Sequence, residues 1–281
     1  MTSSSLPRSL GYAKLVEMIG KILVTNDDGI LAEGLWILAG ELNKVAPVIV
    51  VAPDREQSAV GTAVTLSQPL RAQKVRPLVP DIEAYSVEGT PADSVILALE
   101  KLAGNEVALV VSGINNGLNV GSDVFISGTV GAALQGYLRG LPALAVSISP
   151  GDSQHLGDAA RLAALLAAKI NSSTLPQNTF LNINFPGLSV DNIGGIKTTR
   201  LANHSHIETV SEGHDGKRKY YWLVRQRANE KHHDEMTDIW AIDQGHISIT
   251  PLHTYPHNGS SSGFTDGLCS EIFGRLQKNE V

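Results

Sequence analysis

The sequence predicts an α/β fold built on a mainly parallel sheet, and three features point to it. Short apolar runs alternate with helix-like segments over the first two thirds of the chain. The runs are continuous and β-branched, as strands covered on both faces require, and each ends in Asn, Asp, Gly, Ser or Pro. Residues 22–25 read as a buried strand, followed by a helix over about 32–44 whose Leu35, Trp36, Leu38, Ala39 and Leu42 share one face. Residues 48–52 form the next strand. A helix over 91–102 has Pro91 in its first turn and Asp93 as an early acid, and 107–111 is a third strand. Then come a helix at 128–138, a strand at 143–148 and an Ala/Leu-rich helix at 156–170.

After about residue 190 the rhythm changes to alternating or polar stretches. Residues 195–201, 220–226 and 246–252 read as strands and hairpins added to the core, with a charged loop through Lys231. Residues 257–263 read as a linker to a terminal helix near 268–277. Residues 1–17 are Ser-rich and read as a disordered extension. The expected organisation is a single domain over 18–281, with a core at 18–190 and a hairpin and C-terminal region at 191–281.

Composition narrows the function. The chain has 281 residues, 42% hydrophobic and 18% charged, enough for a packed core and against disorder for most of its length. With 22 Lys and Arg against 28 Asp and Glu, the net charge of −6 argues against a duplex nucleic-acid partner. The first apolar stretch is interrupted by Lys14, Glu17 and Lys21, and no run approaches the ~20 apolar residues of a membrane helix, so a membrane partner is not expected. The single cysteine, Cys269, cannot form an internal disulfide or a Cys-rich zinc site, which points to a reducing cytoplasm.

Ligands of such a sheet gather at the C-terminal ends of the strands, where the polar clusters lie. Asp27 and Asp28 leave the first strand side by side. At the bend both can turn toward one point, and two carboxylates so close repel unless a cation lies between them. An Asx turn that starts the next helix is the plainer alternative. Two further strand ends carry Asp54 to Ser58 and Ser112 to Asn119, adding hydroxyl and amide oxygens that suit a hard ion such as Mg²⁺ or Mn²⁺. Taken singly, each is ordinary loop punctuation. A fourth stretch, 121–129, leads into a helix whose free N–H groups, with the Ser127 and Thr129 hydroxyls, can receive an anion. A simple Ser/Thr N-cap explains it equally well.

All nine histidines follow residue 150, away from these clusters, no GxSxG elbow directly follows an expected strand, and no GxGxxG fingerprint or Walker A sequence occurs. His204, His206 and the run His232 to Glu235 sit in polar segments and read as solvated loops.

Five segments, ILVTNDDGI, VVAPDREQSAVG, EGTPADSV, VVSGINNGLNVGSDVFISGTVGAA and TDIWAIDQGHISITPL, together resemble the SurE family of survival-protein nucleotidases over about residues 19–255. The resemblance implies a Rossmann-like α/β core with hairpin and C-terminal additions used in forming homodimers or homotetramers. It implies a phosphatase acting on nucleoside 5′- and 3′-monophosphates, in some members also on polyphosphate, with one divalent metal ion per subunit, Mg²⁺ or Mn²⁺. Carried over by position, Asp27, Asp28, Ser58 and Asn115 are the implied metal ligands, with Asp27, Asp28 and Asn115 the catalytic set. Asn119, Ser127, Gly128 and Thr129 match the segment lining the phosphate pocket. Many relatives have His after the motif Asn, where this chain has Asn116.

Overall fold

Eleven strands carry the fold of the computed structural model, which describes residues 20–171, 176, 178–203, 206–227 and 234–253. They are β1 (Lys21–Thr25), β2 (Val48–Pro53), β3 (Ala72–Lys74), β4 (Glu83–Val87), β5 (Val107–Asn116), β6 (Ala143–Ile148), β7 (Phe180–Phe185), β8 (Ile196–Thr198), β9 (His206–His214), β10 (Lys219–Arg227) and β11 (Ile247–Pro251). Nine form one sheet in the order β3-β4-β2-β1-β5-β6-β7-β11-β8, and β9 and β10 pair as a separate antiparallel hairpin. The six strands from β4 to β7 in that order are parallel throughout; antiparallel pairing enters at β3 on β4 and at β11 on β7. Met1–Pro251 form one unit and Leu252–Val281 another, of which Leu252 and His253 are described. The expected extension at 1–17, the linker, the terminal helix and Cys269 lie outside the described residues.

The apolar runs form strands because both faces are covered. Ile22 and Val24 of β1, with Val48, Val50 and Ala52 of β2, join one apolar cluster with α1 (Glu33–Leu42). Leu23, Ile49 and Val51, the alternate residues, join a second with α2 (Pro91–Leu97). α3 (Gly128–Tyr137) packs beside α2, and α4 (Leu156–Asn171) packs beside α1. The α2 start is as its residues specify. Thr90 and Asp93 form a reciprocal capping box, Pro91 sits in the first turn, and the helix continues as a π-helical turn at Ala98–Leu102.

Four strands were not expected from the sequence: β9 runs through His206, where a polar loop was expected, and pairs with β10, and the other three are β3, β4 and β7. β3 is three exposed residues at the sheet edge, and β4, EAYSV, alternates half-buried with buried residues beside it. β7, FLNINF, puts Ile183 and Phe185 into the α1/α4 cluster and turns Asn182 and Asn184 to the other face. The expected strand at 195–201 shortens to β8, and a short helix, α5 (Asp238–Asp243), precedes β11. Among the described residues no helix is long and apolar enough to cross a membrane.

The chain runs from β1 to β2 on one side, and β5 lies on the other. That reversal opens a crevice at the C-terminal ends of β1 and β5.

Candidate active site

Asn26 shapes the turn after β1: its Nδ2 donates to Gly29 O at 3.0 Å, and its Oδ1 accepts from Gly29 N at 3.2 Å. Gly29 is required there, because its φ is +95° and a Cβ would stand 2.9 Å from the Arg55 carbonyl carbon. Gln57 N donates to Asp27 O at 2.7 Å, tying the loop after β2 to this turn.

The two carboxylates leave toward different helical layers. Asp27 is 6% exposed and lines a cleft of about 200 Å³ with Ser58, Asn115, Asn119, Asp123 and Ser127. Asp28 is half-buried and lines the adjoining cleft of about 270 Å³ with Glu33, Ile114, Asn116 and Leu156. Strand alternation thus persists through the bend, yet the pair stays electrostatically close. Burial, then the Asp27 charge, pushes the Asp28 pKa up to about 6, and burial above all raises that of Asp27. No described Lys, Arg or His forms an ion pair with either.

Asp27 is fixed by α3. The Thr129 hydroxyl donates to Asp27 Oδ1 at 2.5 Å, and Gly128 lies so near that a Cβ would meet Asp27 Oδ2 at 2.9 Å. Ser127 caps α3, its Oγ accepting from Val130 N at 3.1 Å. The N-cap reading of this segment therefore holds, and the capping residue Ser127 also lines the cleft. β5 runs past the expected 107–111 to Asn116, so Asn115 lies within the strand, one residue before its end; its Nδ2 donates to Gly117 O at 2.6 Å, which leaves the amide oxygen as the ligand-competent atom. The Ser58 hydroxyl is exposed and donates to Glu56 Oε1 at 2.5 Å, keeping its lone pairs. Asn116 N approaches Asp28 Oδ2 at 3.4 Å, and its Oδ1 accepts from Gly151 N at 3.1 Å.

Asp27, Ser58 and Asn115 bring a carboxylate, a hydroxyl and an amide oxygen to one cleft, and Asp28 brings a second carboxylate to the neighbouring one rather than to the same point; all are hard oxygen donors, and the Asp27 charge that helps raise the Asp28 pKa is relieved by a cation. The residues present fit a divalent ion. Among the described residues no group of three His, Cys, Asp or Glu forms an alternative cluster, and His204, Ser205, His232 and His233 lie outside the description.

Residues the sequence reading did not single out lie beneath this site. Asn119 N donates to Asn184 Oδ1 at 2.8 Å, Asn119 O accepts from Asn182 Nδ2 at 2.7 Å and Asn184 Nδ2 at 3.0 Å, and Asn119 Nδ2 donates to Ser147 Oγ at 2.8 Å. Asp238 accepts from Gly121 N at 2.7 Å. The available signal was the polar, polar alternation of Asn182 and Asn184 within an otherwise apolar strand.

Fold and site define an α/β protein whose parallel strands converge on a pocket of acid, amide and hydroxyl oxygens beside a helix N-terminus. Residues 22–208 match the family described as survival protein SurE, and the chain belongs to that family. It is 56% identical over 235 residues to a protein of Dehalococcoides mccartyi named 5′-nucleotidase SurE, covering 83% of this chain and 88% of that one. It is 45% identical over 234 residues to a protein of the same name from Legionella pneumophila, covering 83% and 90%. The crystal structure of the Aquifex aeolicus SurE protein superimposes with a TM-score of 0.75 at 34% identity, over 88% of this chain and 99% of that one.

Proposed function

We propose that this chain is a phosphoric monoester hydrolase that converts nucleoside 5′- and 3′-monophosphates to nucleoside and inorganic phosphate, with short polyphosphate as a further substrate. The observation that carries this reading is the meeting of Asp27 with the N-terminus of α3: an acid suited to a cation, with Asp28 next to it in the chain, lies against a helix start suited to a phosphate. The relatives' name, 5′-nucleotidase, supports the monoester class.

Asp27, Asp28, Ser58 and Asn115 would hold one Mg²⁺ or Mn²⁺ per subunit. Such an ion supplies Lewis acidity, polarising a phosphoryl oxygen and acidifying water. Asn119, the Ser127 hydroxyl and the N–H groups of Gly128 and Thr129 hold the phosphoryl oxygens and offset the charge that develops on them. Thr129 keeps Asp27 oriented by its hydroxyl. One aspartate of the pair accepts the proton of the attacking water as its oxygen bonds to phosphorus, and the nucleoside oxygen leaves in line and takes a proton from solvent water to give the nucleoside hydroxyl. Adjacent acids differ from the Asp-x-Asp pattern of covalent aspartyl-phosphate enzymes, so direct attack by water is the route proposed.

The hairpin supports homodimer or homotetramer formation: Trp222 and Leu223 on β10 are 66% and 80% exposed, with Val210 on β9 and Tyr221 also open. The single cysteine supports a cytoplasmic setting.

The test is phosphate release from a panel of nucleoside monophosphates and tripolyphosphate with Mg²⁺, Mn²⁺ or EDTA. Metal-dependent release that Asp27→Asn and Asn115→Ala abolish, with the fold retained, is expected. No release from folded wild-type protein under any metal would make it a phosphate-binding sensor instead, and a phosphorylated Asp27 or Asp28 would overturn direct water attack.

A further inference from the structure

The loop between β5 and α3 carries Asn119 and leads to Ser127, yet its only regular structure is a 3₁₀ turn at Gly121–Phe125. Its geometry must come from outside. Asn184 makes a two-point bond to the Asn119 peptide groups, its Oδ1 accepting at 2.8 Å and its Nδ2 donating at 3.0 Å. Asn184 is fully buried and stands in register with Ser147 of β6, which in turn pairs with Asn115 of β5. A single cross-strand row thus links the candidate metal ligand Asn115, the acceptor under the Asn119 side chain, and the amide that holds the Asn119 backbone.

Asp238 reaches the same loop two residues further on. Its Oδ2 accepts from Gly121 N at 2.7 Å, while its Oδ1 accepts from Ala202 N and Ile239 N, both at 2.9 Å. Asp238 is 0% exposed, so each of these bonds replaces water it has lost. We infer that Asn184 and Asp238 are positioning residues that clamp the Asn119–Gly121 segment at its two ends and so set the phosphate-binding geometry of Asn119 and Ser127. This rests on the reading of that segment as the phosphate site.

Both side chains have isosteric variants that cut one link each. Asp238→Asn keeps an oxygen for Ala202 N and Ile239 N but turns an NH₂ toward Gly121 N–H. Asn184→Asp keeps the acceptor for Asn119 N but sets an oxygen against Asn119 O. Displacement of a binding group by a fraction of an ångström weakens what it holds, so the inhibition constant for inorganic phosphate is expected to rise about tenfold or more in each variant. KM for the nucleotide rises with it, while Mn²⁺ affinity changes by less than about twofold. A role confined to folding would lower the melting temperature and kcat together and leave the phosphate constant and KM as in wild type; that result overturns the clamp. Ser147→Ala removes only the acceptor under the Asn119 side chain, folds most readily, and is expected to raise the phosphate constant by about threefold. An unchanged constant there, should the other two fail to fold, also overturns it. Phosphate binding is read by calorimetry as well as by inhibition. Wild-type protein that binds phosphate but hydrolyses no ester would overturn the nucleotidase reading, whereas weaker calorimetric binding in the variants would still support the clamp.

Discussion

Gly128→Ala places one methyl group where the structure has no room for it. The added Cβ would stand 2.8 Å from Asp27 Cβ, 2.9 Å from Oδ2 and 3.2 Å from Cγ. Carbon contacts are comfortable at about 3.5–4.0 Å, so the overlap approaches roughly 1 Å. Neither side yields cheaply. Asp27 is buried and bonded to Thr129, and the start of α3 is pinned by the Ser127 cap. Overpacking of this kind costs about 1–3 kcal/mol, which for a chain of this size lowers the melting temperature by roughly 2–12 °C. The displacement falls on the acid and the helix start that face the cleft, so phosphate release should drop by about 100-fold, far more than the stability loss accounts for. Differential scanning fluorimetry and a phosphate-release assay at saturating Mn²⁺ measure the two effects. Gly157→Ala is the control, since nothing lies within 4 Å of its Cβ position. Wild-type turnover in Gly128→Ala would refute the assignment of this contact to the active geometry.

Thr129→Val keeps the shape of the side chain and removes its hydrogen bond to Asp27. A bond to a charged group of about 1.5–3 kcal/mol corresponds to roughly one to two pKa units, so the acid limb of the pH–rate profile should move up by about that much. Asp28 gives a pH-dependent stability of known sign. Its pKa is raised from 3.8 to about 6, so its contribution to folding is fully present below the unfolded value and is lost as pH rises through the folded one. Metal-free Asp28→Asn should therefore melt higher than wild type at about pH 8 and show no such gain at about pH 4. The melting temperatures of the two proteins across pH check this.

The central strands were legible because burial on both faces leaves only one kind of sequence. β1, β2 and the first half of β5 are continuous apolar runs, and their ends marked Asp27, Ser58 and the Asn115 loop. β7 was not legible for the opposite reason. Asn182 and Asn184 occupy positions that a purely structural strand fills with apolar residues, because this face of β7 serves the loop above it. The direction of the carboxylates was also hidden. A sequence places Asp27 and Asp28 at a strand end, but which helix each meets depends on whether the alternation survives the turn, and here Asn26 and Gly29 close the turn so that it does. Asp238 could not be connected to Gly121 at all from spacing, since the contact spans 117 positions and depends on where α5 packs.

The charge of the cleft sets a condition on its ligand. Asp27 and Asp123 line it, and among the described residues no Lys or Arg does. Asp27 already takes the Thr129 hydroxyl and part of the positive end of α3. A phosphate arriving there meets a carboxylate at a few ångströms, a repulsion of about 3–4 kcal/mol per pair of unit charges at the effective dielectric of a protein surface. Backbone N–H groups and hydroxyls at a single helix start offset only a part of that. A divalent cation held by the acid pair reverses the sign of the local field, so phosphate and metal should bind together far better than apart. Linkage makes the effect reciprocal: the factor by which Mn²⁺ strengthens phosphate binding must equal the factor by which phosphate strengthens Mn²⁺ binding. Calorimetric titration of each ligand with and without the other measures both factors, and about 100-fold is expected from the repulsion removed. Phosphate binding of equal strength in EDTA would show that the helix start alone carries the anion and that the acid pair has another purpose.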